Sequence, residues 1–432
     1  MSLEESSVPR PDAAARSTSR PAVLKEETTG EVSTAPAPGA PEDSRSQEYR
    51  LQRIDRFLKL MADRGASDLH LSTGRAPMLR LSGGVEAIRY RVIDERDFIG
   101  LLQPITPPRL WQQFLKTGDA DFAYELPGVA RYRVNIFRQQ RGPSAVFRII
   151  PNKLITLEEL NMPEAVAQLG QLLSGLVLVT GPTGSGKSTT LAALLHEMNR
   201  TRPQHVVTIE DPIEFVHKNR RSLFSQKEIG THARSFSEAL RMALREDPDV
   251  ILVGEMRDLE TIEIALNAAD TGLLVLGTLH TNSAAKTIDR IISVFPASRI
   301  DEVRGLLANG LKAIVAQQLL NRKGGGRVAA IEVLLSTPAL ASCIREGKSH
   351  QIPDIISSGK RLGMLAMDDS LRDLVRSGTI DPQRALEKAI DKDSMRRWLK
   401  EHGSQVPDDI DEDGPTSTGQ ATSGVPRPPA PK

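Results

Sequence analysis

A chain of 432 residues is long enough for two ordered domains. Its 56 lysines and arginines nearly cancel 55 aspartates and glutamates, leaving a net charge of +1, so no whole-chain field draws it to nucleic acid or anionic lipid. One cysteine, Cys343, excludes an internal disulfide framework and a cysteine-built zinc site and suits a reducing cytoplasm, and aromatics at 4% offer little surface for stacking bases.

Residues 1–48 are rich in Pro, Ser, Ala, Thr and Glu and nearly lack large apolar groups, so they are expected to stay disordered. Their start has early acids and no apolar stretch of the signal-peptide kind. No apolar run anywhere approaches the roughly 18 residues of a membrane-spanning helix, so membrane association is expected to be peripheral only.

Residues 49–151 read as a small α+β domain. In "EYRLQRIDRFLKLMADRGAS" the apolar residues Leu51, Ile54, Phe57, Leu58 and Met61 recur at helical spacing. Strands are predicted in "ASDLHLSTG", "APMLRLSGG" and "EAIRYRVI", and "ARYRVNIFRQQRGPSAVFRII" reads as two strands about a Gly-Pro turn.

A polar linker, 152–163, leads to a segment 164–336 in which short apolar strands alternate with helices: "GLVLVT", "HVVTIE", "DVILVGE", "LLVLGTLH" and "RVAAIEVLL". That alternation predicts a mainly parallel sheet covered by helices, an α/β fold. Residues 337–403 read as helical and 404–432 as a second disordered tail.

"LVLVTGPTGSGKST" joins a strand to a helix through Gly181, Pro182, Thr183, Gly184, Ser185, Gly186, Lys187, Ser188 and Thr189, the spacing of a phosphate-binding loop. Glycines let backbone N–H groups wrap phosphates; Lys187 is expected at the β- and γ-phosphates and Ser188 on Mg²⁺. The predicted cofactors are thus ATP and Mg²⁺. In "VTIEDPIEFVH" a strand ends in Glu210 and Asp211, with Glu214 after a proline, so these acids either face the metal or cap a turn. "DPDVILVGEMRD" offers Glu255 at a strand end, both to order the metal shell and to polarise water, beside Arg257 and Asp258, which either pair with each other or serve the site. In "LLVLGTLHTNSA" His280 is either a satisfied core histidine or a γ-phosphate sensor. Arg131 and Arg133 alternate on "ARYRVN" and so share a face, which is either a solvated edge or a source of arginine for a neighbour's ATP.

These segments together resemble the secretion-ATPase superfamily, and specifically the type IV pilus retraction ATPases. The resemblance spans about 50–400 and rests on "ASDLHL", "RYRVN", "GPTGSGKST", "TIEDPIEFVH", "ALREDPDVILVGEMRD", "GTLHTNSAAKTIDRII" and "IREGKSHQI". It implies a PAS-like N-terminal domain, a RecA-like P-loop ATPase domain with C-terminal helices, and an ATP-hydrolysing homo-hexamer that retracts pili and drives twitching motility. It further implies that Glu255 is the catalytic glutamate of an atypical Walker B segment, that Glu210 to Glu214 form the Asp box, that His280 belongs to the His box, and that Arg131 and Arg133 act in trans. Ser188, Glu210 and Glu255 would surround the metal. Cys343 to Ile352 resembles the family's C-terminal segment needed for retraction. The implied partners are an inner-membrane platform protein, the pilus machinery and a second retraction ATPase, with the motor cytoplasmic and peripheral at the pilus base.

One departure stands out. Leu273 occupies a position where the family writes histidine, which makes it the most doubtful position of the expected site. Extension ATPases of the superfamily carry a four-cysteine zinc insertion, which one cysteine rules out here, so retraction is favoured over polymerisation. Three alternatives remain: an accessory pilus or secretion ATPase, a nucleic-acid translocase, and a nucleotide-binding regulator that does not hydrolyse.

Overall fold

The computed structural model describes residues 53–81, 84–150 and 154–403. The two expected tails, Leu51 and the first residues of the linker lie outside them.

The first helix, α1 (Asp55–Asp63), buries Phe57, Leu58 and Met61, with Ile54 just before it. β1 (Asp68–Ser72), β2 (Met78–Leu81) and β3 (Gly84–Ala87) form an antiparallel meander. β3 is shorter than "EAIRYRVI" suggests. Asp94 accepts from the Asp97 N–H at 2.7 Å while Asp97 accepts from the Asp94 N–H at 3.2 Å, and this reciprocal cap starts α2 (Glu95–Leu102) instead of a longer strand.

α3 (Pro108–Thr117) follows, buries Trp111 and Phe114, and stops at Gly118, whose φ of 83° is left-handed. β4 (Asp119–Leu126), β5 (Ala130–Gln139) and β6 (Gly142–Ile150) complete a six-stranded antiparallel sheet in the order β3-β2-β1-β6-β5-β4. Gln139 pairs with Gly142, so the hairpin turns on Gln140 and Arg141, just before the expected Gly-Pro. On β5 Tyr132, Val134 and Ile136 are buried while Arg131 and Arg133 project from the other face. The Tyr132 hydroxyl donates to the Leu58 carbonyl at 2.9 Å, tying the sheet to α1.

The second sheet starts after α4 (Glu164–Gln168). In chain order its elements are β7 (Gly175–Thr180), α5 (Lys187–Thr201), β8 (His205–Glu210), β9 (Leu223–Glu228), α6 (Phe236–Ala243) and β10 (Val250–Val253). α7 (Leu259–Asp270), β11 (Leu274–Leu279), α8 (Ala284–Ser293), α9 (Ile300–Gly310), β12 (Leu311–Asn321) and β13 (Arg327–Leu335) complete it. The order is β13-β12-β7-β11-β10-β8-β9, parallel throughout except for β13 against β12.

All six residues of β7 and of β11 are buried, as expected of strands covered on both faces. Alternate residues serve two cores: Leu176, Leu178 and Val275 face one, and Val177, Val179, Leu274 and Leu276 face the other. β9 and β12 are strands that the sequence reading does not separate. β9 is a half-exposed edge strand without a strong apolar pattern, and β12 begins directly at the end of α9 with no turn between them.

The chain closes with α10 (Pro338–Arg345), α11 (Ile352–Ser358), α12 (Met367–Arg376), α13 (Pro382–Lys388) and α14 (Lys392–Glu401). Met367, Leu371, Leu386, Met395 and Leu399 build a small core of their own against Leu320 and Ala330 of the last hairpin. Among the described residues no helix is long and apolar enough to cross a membrane.

Candidate active site

The carboxyl ends of the parallel strands β7, β11, β10 and β8 lie side by side, and each is followed by polar residues. Such an edge is where open α/β sheets bind ligands.

β7 runs into the loop from Gly181 to Gly186 and then into α5, whose first residue is Lys187. The loop's path depends on its first glycine. Gly181 has φ 146°, and a Cβ there would lie 2.3 Å from the Gln317 carbonyl oxygen and 2.5 Å from Ser185 Oγ. The Lys187 ammonium donates to the carbonyls of Gly181 at 2.9 Å and Pro182 at 3.1 Å. Burial pushes its pKa below the ordinary lysine range, while Glu255 and Glu214 oppose that shift. Ser185 Oγ is buried and has no partner, a polar atom at the mouth of an N–H-lined loop that suits a phosphate oxygen.

Glu255 leaves the end of β10 behind Gly254, where a Cβ would meet the Ile209 carbonyl at 2.9 Å. Its carboxylate pairs with His280 Nε2 at 2.8 Å and with Arg257. His280 directly follows β11. Thr278 is part of that strand, where its hydroxyl donates to the Gly254 carbonyl and ties the ends of β10 and β11 together. Asp258 does not pair with Arg257. It caps α7, accepting from Thr261 N and Oγ1, both at 2.8 Å.

Glu210 ends β8 and accepts from Thr208 Oγ1 at 2.6 Å and Gln226 Nε2 at 3.2 Å. Burial raises its pKa to about 7 despite these hydrogen bonds. Asp211, pushed up by burial and held down by Arg133, and exposed Glu214 follow on the turn.

A cavity of about 380 Å³ is lined by Lys187, Ser188, Glu210, Glu214, Glu255 and His280, and Arg133 reaches the same cavity from β5 of its own chain. A second cavity of about 390 Å³ lies against the other side of the loop; Leu160, Asn161, Arg322 and Arg327 line it, together with Lys187 and Ser188. Arg131 is not in either lining. Its guanidinium donates to Glu228 Oε2 at 2.6 Å.

Leu273 lies elsewhere. It precedes β11, at the end opposite His280, and packs half-buried against an apolar cluster. The expectation that it is a doubtful position of this site is corrected by strand direction: a six-residue strand separates it from the ligand edge. Two buried acids were not singled out from the sequence. Glu228 accepts from Arg131, from Ile213 N and from Thr231 Oγ1. Glu332 accepts from Ala284 N at 2.7 Å and so anchors the start of α8, just beyond the His280 loop. Neither carries a motif; only the burial of a carboxylate on a strand face marks them.

A phosphate-binding loop between the central strand and its helix, with a strand-end carboxylate beside it, defines a RecA-like P-loop ATPase. The Type II/IV secretion system protein family matches residues 118–325. The type IV pilus retraction ATPase PilT of Pseudomonas aeruginosa is 51% identical over 78% of this chain and 98% of its own length. A twitching motility protein of Neisseria gonorrhoeae is 48% identical over 74% and 86%. The pilus ATPase PilU of P. aeruginosa is 37% identical over 80% and 91%. The crystal structure of the pilus retraction motor PilT with bound ADP superposes with a TM-score of 0.76 at 40% identity, covering 80% of this chain and 99% of that one. The chain belongs to the PilT family of pilus retraction ATPases, within the type II/IV secretion system proteins.

Proposed function

We propose that this protein is the motor of type IV pilus retraction, hydrolysing ATP to drive pilin depolymerisation and twitching motility. The observation that carries the reading is the meeting of Lys187, Ser188, Glu255 and His280 in one cavity, in a chain 51% identical to a retraction ATPase over 98% of that relative's length.

The geometry supports the following roles. Backbone N–H groups of Gly181 to Gly186, with Thr189 on the first turn of α5, would hold the polyphosphate, and Lys187 would exchange its carbonyl partners for β- and γ-phosphate oxygens. The nucleoside end would occupy the second cavity. Glu255 would polarise the attacking water, with His280 at 2.8 Å fixing the carboxylate and reaching toward the γ-phosphate. Arg133, which lines the same cavity, would meet charge developing on that phosphate.

Mg²⁺ is implied by the fold, and hard oxygen donors for it, Ser188, Glu210 and Glu255, line one cavity. When bound it would supply positive charge that offsets the charge of the phosphates.

As a homo-hexamer peripheral to the inner membrane, the protein would act on a platform protein at the pilus base, with a second retraction ATPase as a companion. Rotation of the N-terminal sheet against the ATPase core would be the work stroke. A strain lacking the gene tests the reading: many non-retracting pili and lost twitching are expected, restored by wild type but not by Lys187→Ala. Bald cells would point to extension instead.

A further inference from the structure

Glu228 stands at the end of β9, in register with Glu210 on β8, and is 4% exposed. Its carboxylate gathers three parts of the chain. Arg131 Nη2 of the N-terminal sheet donates at 2.6 Å, Ile213 N of the Asp-box turn at 3.1 Å and Thr231 Oγ1 of the following loop at 3.1 Å.

Ile213 is itself buried and lies between Asp211 and Glu214, both of which line the phosphate-side cavity. Arg131 is equally committed. Its side chain is 16% exposed, its Nε is buried without a partner, and its guanidinium meets Glu228. Two residues along the same face of β5, Arg133 reaches the cavity. A buried ion pair of this kind is costly to break from one side, because the remaining charge is left without compensation.

We infer that Glu228 is a positioning residue for hydrolysis: with Arg131 it straps the N-terminal sheet to the Asp-box turn of the same chain. Arg131 acts through that strap and not on a neighbour's nucleotide. The strap sets two things at once, the seat of Asp211 and Glu214 and the approach of Arg133. The inference rests on the reading of the cavity as an ATPase site.

Two measurements on the full-length protein test it. Arg131→Gln and Glu228→Gln should each lower kcat about tenfold, with KM for ATP changed less than about twofold, and the double variant should match the worse single variant because both remove one interaction. Glu228→Gln keeps an oxygen for the Ile213 N–H. Losses that multiply to about a hundredfold in the double variant would overturn the strap.

The second measurement co-assembles Arg131→Gln subunits with Lys187→Ala subunits. A strap acting within each chain leaves no site intact, and an equal mixture keeps only the tenfold-reduced turnover of its Arg131→Gln half, about a twentieth of wild type. An arginine lent across the interface would rebuild sites, returning activity toward about a quarter of wild type in an equal mixture, and would overturn the inference. If Glu228→Gln fails to fold, the mixed assembly decides alone. A wild-type protein without ATPase activity would instead overturn the functional reading.

Discussion

Replacing Glu255 by glutamine separates chemistry from structure at this site. Both partners of Glu255 are substantially exposed, Arg257 at 75% and His280 at 40% of their side-chain surface, so losing the carboxylate charge costs under about 1 kcal/mol of stability. Glutamine retains an oxygen for His280 Nε2, and the packing of Gly254 against β8 is untouched. What disappears is the capacity to accept a proton from water. General-base groups are worth about 10² to 10⁴ in rate, so kcat should fall by that factor, about 3 to 5 kcal/mol in barrier height. Nucleotide affinity should change only a few-fold, since the loop, Lys187 and Ser188 remain. Steady-state phosphate release at saturating ATP and Mg²⁺, paired with titration of a fluorescent ATP analogue, measures both. Turnover within about twofold of wild type would refute the assignment of Glu255 as base.

Gly181→Ala brings a Cβ to 2.3 Å from the Gln317 carbonyl at a φ of 146°, so the loop must shift; strain of about 1 to 3 kcal/mol and loss of ADP-induced thermal stabilisation are expected in a thermal-shift titration. His217 stacks on Phe224 at 4.6 Å, and burial lowers its pKa to about 4. The unfolded chain therefore takes up the proton first, so up to about 3 kcal/mol present above pH 6.5 is lost as pH falls toward 4. His217→Phe should flatten the fall of Tm across that interval, and an unchanged slope would count against this account. Glu210, raised to about 7, acts in the opposite sense, losing stability as pH rises from 4.5 to 7, so the difference between wild type and variant isolates the histidine. Leu273→His should leave kcat within about twofold, because at about 3.3 Å per residue β11 sets position 273 roughly 20 Å from the ligand edge; a tenfold change would contradict that placement.

Much of the site is local in the chain, which is why it is legible there. The phosphate-binding loop is a contiguous strand, glycine-rich turn and helix, and the strand ends bearing Glu210, Glu255 and His280 are marked by an apolar run stopping at a polar residue. β9, β12, α3 and β4 are harder to read. Edge strands have mixed burial, and α9 passes into β12 at Gly310 with no intervening turn, so one residue ends the helix and the next begins the strand.

Taken alone, the sequence determined the class of chemistry, because backbone conformation at a phosphate-binding loop and the direction of a parallel strand follow from short-range pattern. It also carried enough ordered motifs to indicate the family. Only tertiary structure decided which charges meet. Arg131 and Arg133 are equivalent by alternation, yet one is half-buried against Glu228, 97 residues away, and the other reaches the cavity. Leu273 and His280 flank the same strand at its opposite ends. Pairings of this kind depend on how one sheet docks on another segment, a long-range arrangement that no local spacing encodes.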